Sequence, residues 1–230
     1  MLSVIVPAHN EEAYLGLCLS ALLASRPVGG EAEVPVEIVV AANACTDRTV
    51  EIAQAHAPAI RARGWTLHVL DLEQGGKPNA LNAAEEIVQG SIRAYVDADV
   101  AVEPALLDQA WRALRTGAPR YASGRMRVAP AATFATRAYR EIYTRVPFMT
   151  RTVPGAGFFC VNASGRARWG RFPEITADDL FVRLNFTRDE RILLESGFRW
   201  ELTEGLAALV RVRRRQDRGN RELAERFPDL

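Results

Sequence analysis

Histidine and cysteine are scarce in this chain of 230 residues, with three of each. Cys18, Cys45 and Cys160 cannot all pair, and neither they nor His9, His56 and His68 stand at zinc-ligand spacings. That argues against a disulfide scaffold and suits the thiols to a reducing compartment. Cys18, on an apolar helical face, and Cys160, in an apolar run, read as small buried hydrophobes. No apolar run is long enough to span a bilayer. The opening MLSVIVPAHNEE has no basic leader and turns acidic early, so the expectation is a soluble, cytoplasmic protein. Nor is one charge in excess: 29 Lys and Arg face 28 Asp and Glu. The chain as a whole is therefore not expected to attract nucleic acid. A G-x-x-x-x-G-K-S/T loop and a strand-exit G-x-G-x-x-G fingerprint are both missing, which weakens kinase and dehydrogenase readings. Ser164 and Ser196 lack a nucleophile-elbow context.

What is present is a chain of ordinary globular composition, 48% hydrophobic and 25% charged, with the bulk of one domain. Ser3-Val4-Ile5-Val6-Pro7 is a β-branched run that reads as a buried strand. A helix follows, with Leu15, Cys18, Leu19, Leu22 and Leu23 on one face. Glu37-Ile38-Val39-Val40 gives a second strand. Thr46 or Asp47 is placed to cap the next helix, which carries Val50, Ala53 and Ala57. Trp65, Leu67 and Val69 alternate with polar neighbours in a third strand. Gly75-Gly76 precedes a helix from about Pro78, and Ala94-Tyr95-Val96 forms a fourth strand ending on Asp97-Ala98-Asp99. Strand and helix alternating in this way predict an α/β fold, a Rossmann-like, mainly parallel sheet flanked by helices. Ligands of such sheets sit beyond the carboxyl ends of the strands. Further on, the pattern predicts an amphipathic helix from Leu106, strands at 121–128 and 157–161, a helix at 133–143 and another from Asp178.

The chemistry-bearing residues gather at the strand ends. Asp97 and Asp99 are two carboxylates one residue apart in apolar surroundings, a pair suited to a hard divalent cation and the phosphates it bridges. Lys77 lies at a glycine-to-helix junction, where an ammonium and free backbone amides together suit an anion. Asn82, a turn later, points to a nucleotide or satisfies the helix start. Asn10 and Glu11 follow the first strand and read either as a helix cap or as contacts to a base or ribose. Asn43 and Asp47 occupy the second strand exit. Asp178 and Asp179 open a late helix, where acids are routine, yet a carboxylate facing a crevice is also what takes a proton from an attacking hydroxyl.

In the order SVIVPAHNEE, IVVAANACTDRT, GGKPNALNAA, AYVDADV, GAGFFCV and ITADDLFVRL, these segments resemble the family-two glycosyltransferases of the GT-A fold. The resemblance spans roughly residues 1 to 187. It implies a nucleotide-diphosphate-sugar donor, a divalent metal (Mn2+ or Mg2+) and inversion at the anomeric carbon. By that analogy Pro7, Ala8, Asn10 and Glu11 flank the nucleoside, and Asn43 takes the place of an acid that contacts the base. Lys77 lies near the base or phosphates, Asp97 near ribose and metal, and Asp99 on the metal. Asp178 or Asp179 serves as the base, and Gly155-Ala156-Gly157 helps form an acceptor wall. The chain then divides into a nucleotide-sugar-binding half at 1–103, an acceptor-binding half at 104–210 and a basic segment at 211–230. Two departures bear on this reading. Ala42-Asn43 replaces the usual pair of acids, which leaves the nucleotide open, and Asp178-Asp179 replaces the usual Glu-Asp.

A nucleotidyltransferase shares a Rossmann-like sheet and a carboxylate-bound metal, but it opens on a glycine-rich loop that Pro7-Ala8-His9-Asn10-Glu11 does not supply. A catalytically inactive sugar- or lipid-carrier-binding module is the other alternative; retention of both acid pairs speaks against it. Six arginines lie between Arg211 and Arg221. They read as a solvated helix face, as charge near a departing diphosphate, or as a peripheral membrane contact suited to a lipid-linked acceptor.

Overall fold

The computed structural model describes residues 1–30 and 32–230. Strands β1 (Leu2–Ala8), β2 (Val36–Asn43), β3 (Thr66–Leu72) and β4 (Ile92–Val96) lie where the apolar runs predict them. Val4 and Val6 enter one core layer with Leu15, Leu19 and Leu22, while Ile5 enters the other with Leu81 and Phe159. A strand buried on both faces needs such a continuous hydrophobic run, and its neighbours pair with it in parallel.

The sheet continues through β5 (Val100–Val102), β6 (Tyr121–Val128), β7 (Phe158–Asn162) and β8 (Arg191–Trp200), in the order β3-β2-β1-β4-β7-β6-β8-β5. β7 runs antiparallel to β4 and β6, β5 runs antiparallel to β8, and β6 and β8 are parallel. The mainly parallel, helix-flanked sheet expected from the sequence is therefore present, with antiparallel pairs at β7 and β5. Two of its strands were not foreseen. β5 has only three residues, and in β8 polar Glu195 and Arg199 interrupt the apolar residues.

The antiparallel β4–β7 pair decides where the site lies. Val96 pairs with Phe158, so the end of β4 meets the start of β7. The Asp97 N–H donates to the Gly157 carbonyl at 2.9 Å. Gly157 has φ +79°, and a Cβ there would stand 3.0 Å from Val100. A side-chain-free turn thus holds the acidic strand exit against the chain that returns beside it.

Several local expectations need correction. The first helix begins at Leu15, with Tyr14 at its cap. Asn10 instead sits at φ +55° and accepts a hydrogen bond from Thr46 N–H at 2.8 Å, tying the first two strand exits together. The helix expected after β2 is two short ones, Thr49–Ala55 and Ala57–Ala62, divided at His56 ahead of Pro58. Neither Thr46 nor Asp47 occupies its cap position, although the Asp47 carboxylate accepts from Thr49 N–H at 2.9 Å. Asn82 is not at the helix start. It lies inside the helix Lys77–Glu85, and its amide makes a two-way clamp with the Phe172 backbone. The basic segment belongs to one long helix, Leu206–Arg226. Gly219 lets that helix seat against Thr176 and Ala177, where an added Cβ would come within 2.8 Å of Thr176.

Candidate active site

Lys77 is the centre of the site. Its ammonium lies 2.8 Å from Asp97 Oδ1 and 3.1 Å from Asp178 Oδ2, joining the end of β4 to the helix Asp178–Leu184. These three residues are far apart in sequence, and the fold brings them together at the carboxyl end of the parallel strands. Burial works against the lysine's charge, but Asp178 and Asp97 overcome it and hold its pKa above the ordinary value. Burial, opposed by Lys77, pushes the Asp178 carboxyl up to about 6. Asp179 is also raised by burial against Lys77. Asp178 is almost fully buried, whereas Asp179 retains part of its surface. One Asp179 oxygen accepts from Leu180 N–H at 2.8 Å at the start of its helix.

Beside this cluster opens a cavity of about 560 Å³. Lys77, Asp97, Asp178 and Asp179 line its inner end, with Ala156 and Gly157 along one side. Gly155 stands behind that wall, its φ +77° backbone pressed on the buried Tyr121 hydroxyl so closely that a Cβ would fall 1.6 Å from it. Tyr143 and Trp200 add aromatic surface, and Arg213 and Arg215 reach the cavity from the long helix. Trp200 and Tyr143 went unnoticed in the sequence because tertiary packing, not a local motif, brings them here; the arginine run was noticed, but not which of its members reach the cavity.

The two acids of the Asp97-Ala98-Asp99 turn face different surroundings. Asp97 turns to Lys77 and the cavity. Asp99 accepts from the Trp200 indole N–H at 3.3 Å and lines a smaller hollow with Tyr14 and Arg199. Burial and then the Asp97 charge raise the Asp99 carboxyl to about 6. Glu11 rises to about 7 through burial, followed by Asp99 and Asp97. Crowded carboxylates of this kind form an oxygen-only donor set whose repulsion a hard divalent cation relieves. Among the described residues, no group of three or more His, Cys, Asp or Glu stands together as a metal cage. Two carboxylates fit an ion that takes its other ligands from a diphosphate and water.

At the first strand exit, Pro7 borders a narrow cleft shared with Lys77 and Asp97. Ala8 is buried, and its carbonyl accepts from the Asn43 amide at 2.7 Å. The other end of that amide accepts from Gly76 N–H at 2.9 Å. Asn43 therefore spends both ends of its side chain holding the first strand exit and the Gly75-Gly76 turn in place. Glu11 N–H donates to Thr49 Oγ1 at 2.8 Å, which fixes its backbone and leaves its carboxylate toward the acidic turn.

A curled mixed sheet with an acid-lined crevice at its parallel strand ends defines a GT-A nucleotide-sugar fold. The chain belongs to glycosyl transferase family 2, whose family model matches residues 3–172. No curated protein matches it by sequence. The mannosyltransferase PcManGT from Pyrobaculum calidifontis, solved with GDP-Man and Mn2+, is similar with TM-score 0.71 at 19% identity over 100% of this chain and 64% of that one. TarS of S. aureus gives 0.62 at 20% identity over 87% of this chain and 36% of that one. Glucosyl-3-phosphoglycerate synthase from Mycobacterium tuberculosis, solved with Mn2+, UDP and glucosyl-3-phosphoglycerate, gives 0.59 at 19% identity, covering 98% and 79%. The chain spans 60% of even the shorter TarS form, residues 1–349. At such identities the likeness speaks for the fold.

Proposed function

We propose that this protein is an inverting glycosyltransferase that moves a sugar from a nucleotide-diphosphate sugar to an acceptor hydroxyl, and that it depends on Mn2+ or Mg2+. The observation that carries the reading is the Lys77 bridge between Asp97 and Asp178, which places the acid turn of the donor half beside the acid pair of the acceptor half. On this reading residues 1–103 hold the donor and 104–210 the acceptor, with the long helix closing one side.

Pro7, Ala8, Asn10 and Glu11 form the edge against which the nucleoside lies. Asn43 acts by holding that edge in shape, while Lys77 and the helix start it opens face the phosphates. Asp97 and Asp99 would hold the divalent ion, which when bound supplies positive charge to the diphosphate as it leaves. Asp179 is the better of the two candidate bases. Its carboxylate borders the cavity with one oxygen fixed by Leu180 N–H, whereas Asp178 is buried and committed to Lys77. Asp179 takes the proton of the acceptor hydroxyl as that oxygen attacks the anomeric carbon from the face opposite the diphosphate. The new glycosidic bond forms as the old C–O bond breaks, and the configuration inverts. Ala156 and Gly157 give the acceptor a wall without side-chain bulk.

A thermal-shift panel of nucleoside diphosphates with Mn2+, repeated with chelator, tests the donor half. A ligand at a hundred times its Kd stabilises by about 2.7 kcal/mol. A midpoint rise that needs both nucleotide and cation is expected; no rise with any nucleotide would contradict the reading.

A further inference from the structure

The cavity beyond Asp179 is chemically divided, and the division describes its occupant. One wall is apolar. Ile142, Val146, Phe148 and Met149 line it from the helices Phe134–Tyr143 and Pro147–Arg151 and the turn between them. The Phe148 ring lies 5.0 Å from the buried Arg183 guanidinium, whose Nε–H donates to the Val153 carbonyl at 2.8 Å. Ile142 and Phe148 nevertheless remain 69% and 44% exposed at the mouth. Aromatic and aliphatic side chains left in water around a cavity offer their area to a ligand with an apolar body.

Another part of the lining is cationic. Arg213 and Arg215 border the cavity together with Gln216 and Asn220. The other four arginines of the run, Arg211, Arg214, Arg218 and Arg221, are exposed and do not line it. The helical repeat thus divides the basic run, sending two members to the cavity and leaving four to solvent. Arg213 gives one guanidinium nitrogen to Gln216 at 2.8 Å and another to Asp217 at 3.1 Å, which fixes its plane. A guanidinium held in this way suits the paired oxygens of a phosphate.

Resting on the transferase reading, we propose that the acceptor is an anionic amphiphile, whose phosphate-like group is clasped by Arg213 and Arg215 and whose apolar body runs out past Ile142 and Phe148.

Titration calorimetry with decyl phosphate, kept below its micelle concentration, tests this directly. Inorganic phosphate and decyl maltoside are the two partial probes. Decyl phosphate is expected to bind at least about tenfold more tightly than either, since it alone combines a charge-assisted contact with a buried chain. R213Q/R215Q should weaken decyl phosphate by about tenfold or more, and F148A should weaken it while leaving inorganic phosphate unaffected. R211Q/R214Q, on the outer face, should bind as the parent does, and thermal unfolding identifies any variant that fails to fold. Equal affinity for inorganic phosphate would reassign the site to a free phosphorylated acceptor and overturn the amphiphile. Equal affinity for decyl maltoside, or equal losses in the two arginine pairs, would overturn the clasp. Nucleotide binding by the parent protein is measured separately, so a failure of the donor reading would be seen on its own.

Discussion

Lys77 stands between two carboxylates from different halves of the chain, 2.8 Å from Asp97 and 3.1 Å from Asp178, and no single segment of sequence contains that contact. Removing one partner of a buried pair costs about 3–5 kcal/mol. The Lys77 side chain is 37% exposed, which lowers the expectation for Lys77→Met to about 2 kcal/mol. Denaturant unfolding should show that loss, and donor affinity should fall with it. An unchanged midpoint would mean that the bridge is incidental.

The two late acids should separate kinetically. Asp179→Asn keeps the shape and the Leu180 contact but removes the base, so kcat is expected to fall by about 10²–10⁴ with donor affinity retained. Asp178→Asn releases Lys77 and should appear mainly as weaker donor binding. The reverse pattern would move the base to Asp178.

Acidification has a definite sign here. Asp178, Asp99 and Glu11 are raised to about 6, 6 and 7 from ordinary values of 3.8, 3.8 and 4.5. The folded state therefore binds protons before the unfolded state does, and stability rises as pH falls from about 7 toward 4.5. Glu190, lowered to about 2 by Arg168, acts the other way, but only below its ordinary 4.5. The thermal midpoint in chelator should be higher at pH 5 than at pH 7, and Asp99→Asn should flatten the difference. A midpoint that falls on acidification, with no change in the variant, would contradict the crowded-acid account.

Gly219→Leu should displace the long helix from Thr176 and Ala177, immediately before the acid pair. Overpacking of this kind costs about 1–3 kcal/mol. It should raise KM for the acceptor more than for the donor; an equal effect on both would separate the helix from the acceptor side.

Residues 1–103 were more legible in the sequence than those that follow. β1, β2 and β4 are buried strands that apolar runs locate to within a few residues, and β3 is a half-exposed edge strand that its alternation locates. Asp97, Asp99 and Lys77 announce themselves by standing as charges at element boundaries. Asn43 shows the limit of such reading. Its position pointed to a base contact, whereas its amide bridges Ala8 and Gly76 across separate segments. β8 stayed hidden because its side chains lack a clean alternation. The division of Arg213 and Arg215 from their four neighbours depends on how the helix is rotated against Thr176, which Gly219 determines and composition does not.

The most direct test of the central claim is proton NMR of the anomeric signal while the protein turns over an α-linked nucleotide-diphosphate sugar with Mn2+, using water as the slow acceptor. The account predicts that the β-anomer of the free sugar appears first, together with an equal amount of nucleoside diphosphate. Initial release of the α-anomer would contradict inversion, and release of sugar 1-phosphate with nucleoside monophosphate would contradict glycosyl transfer itself.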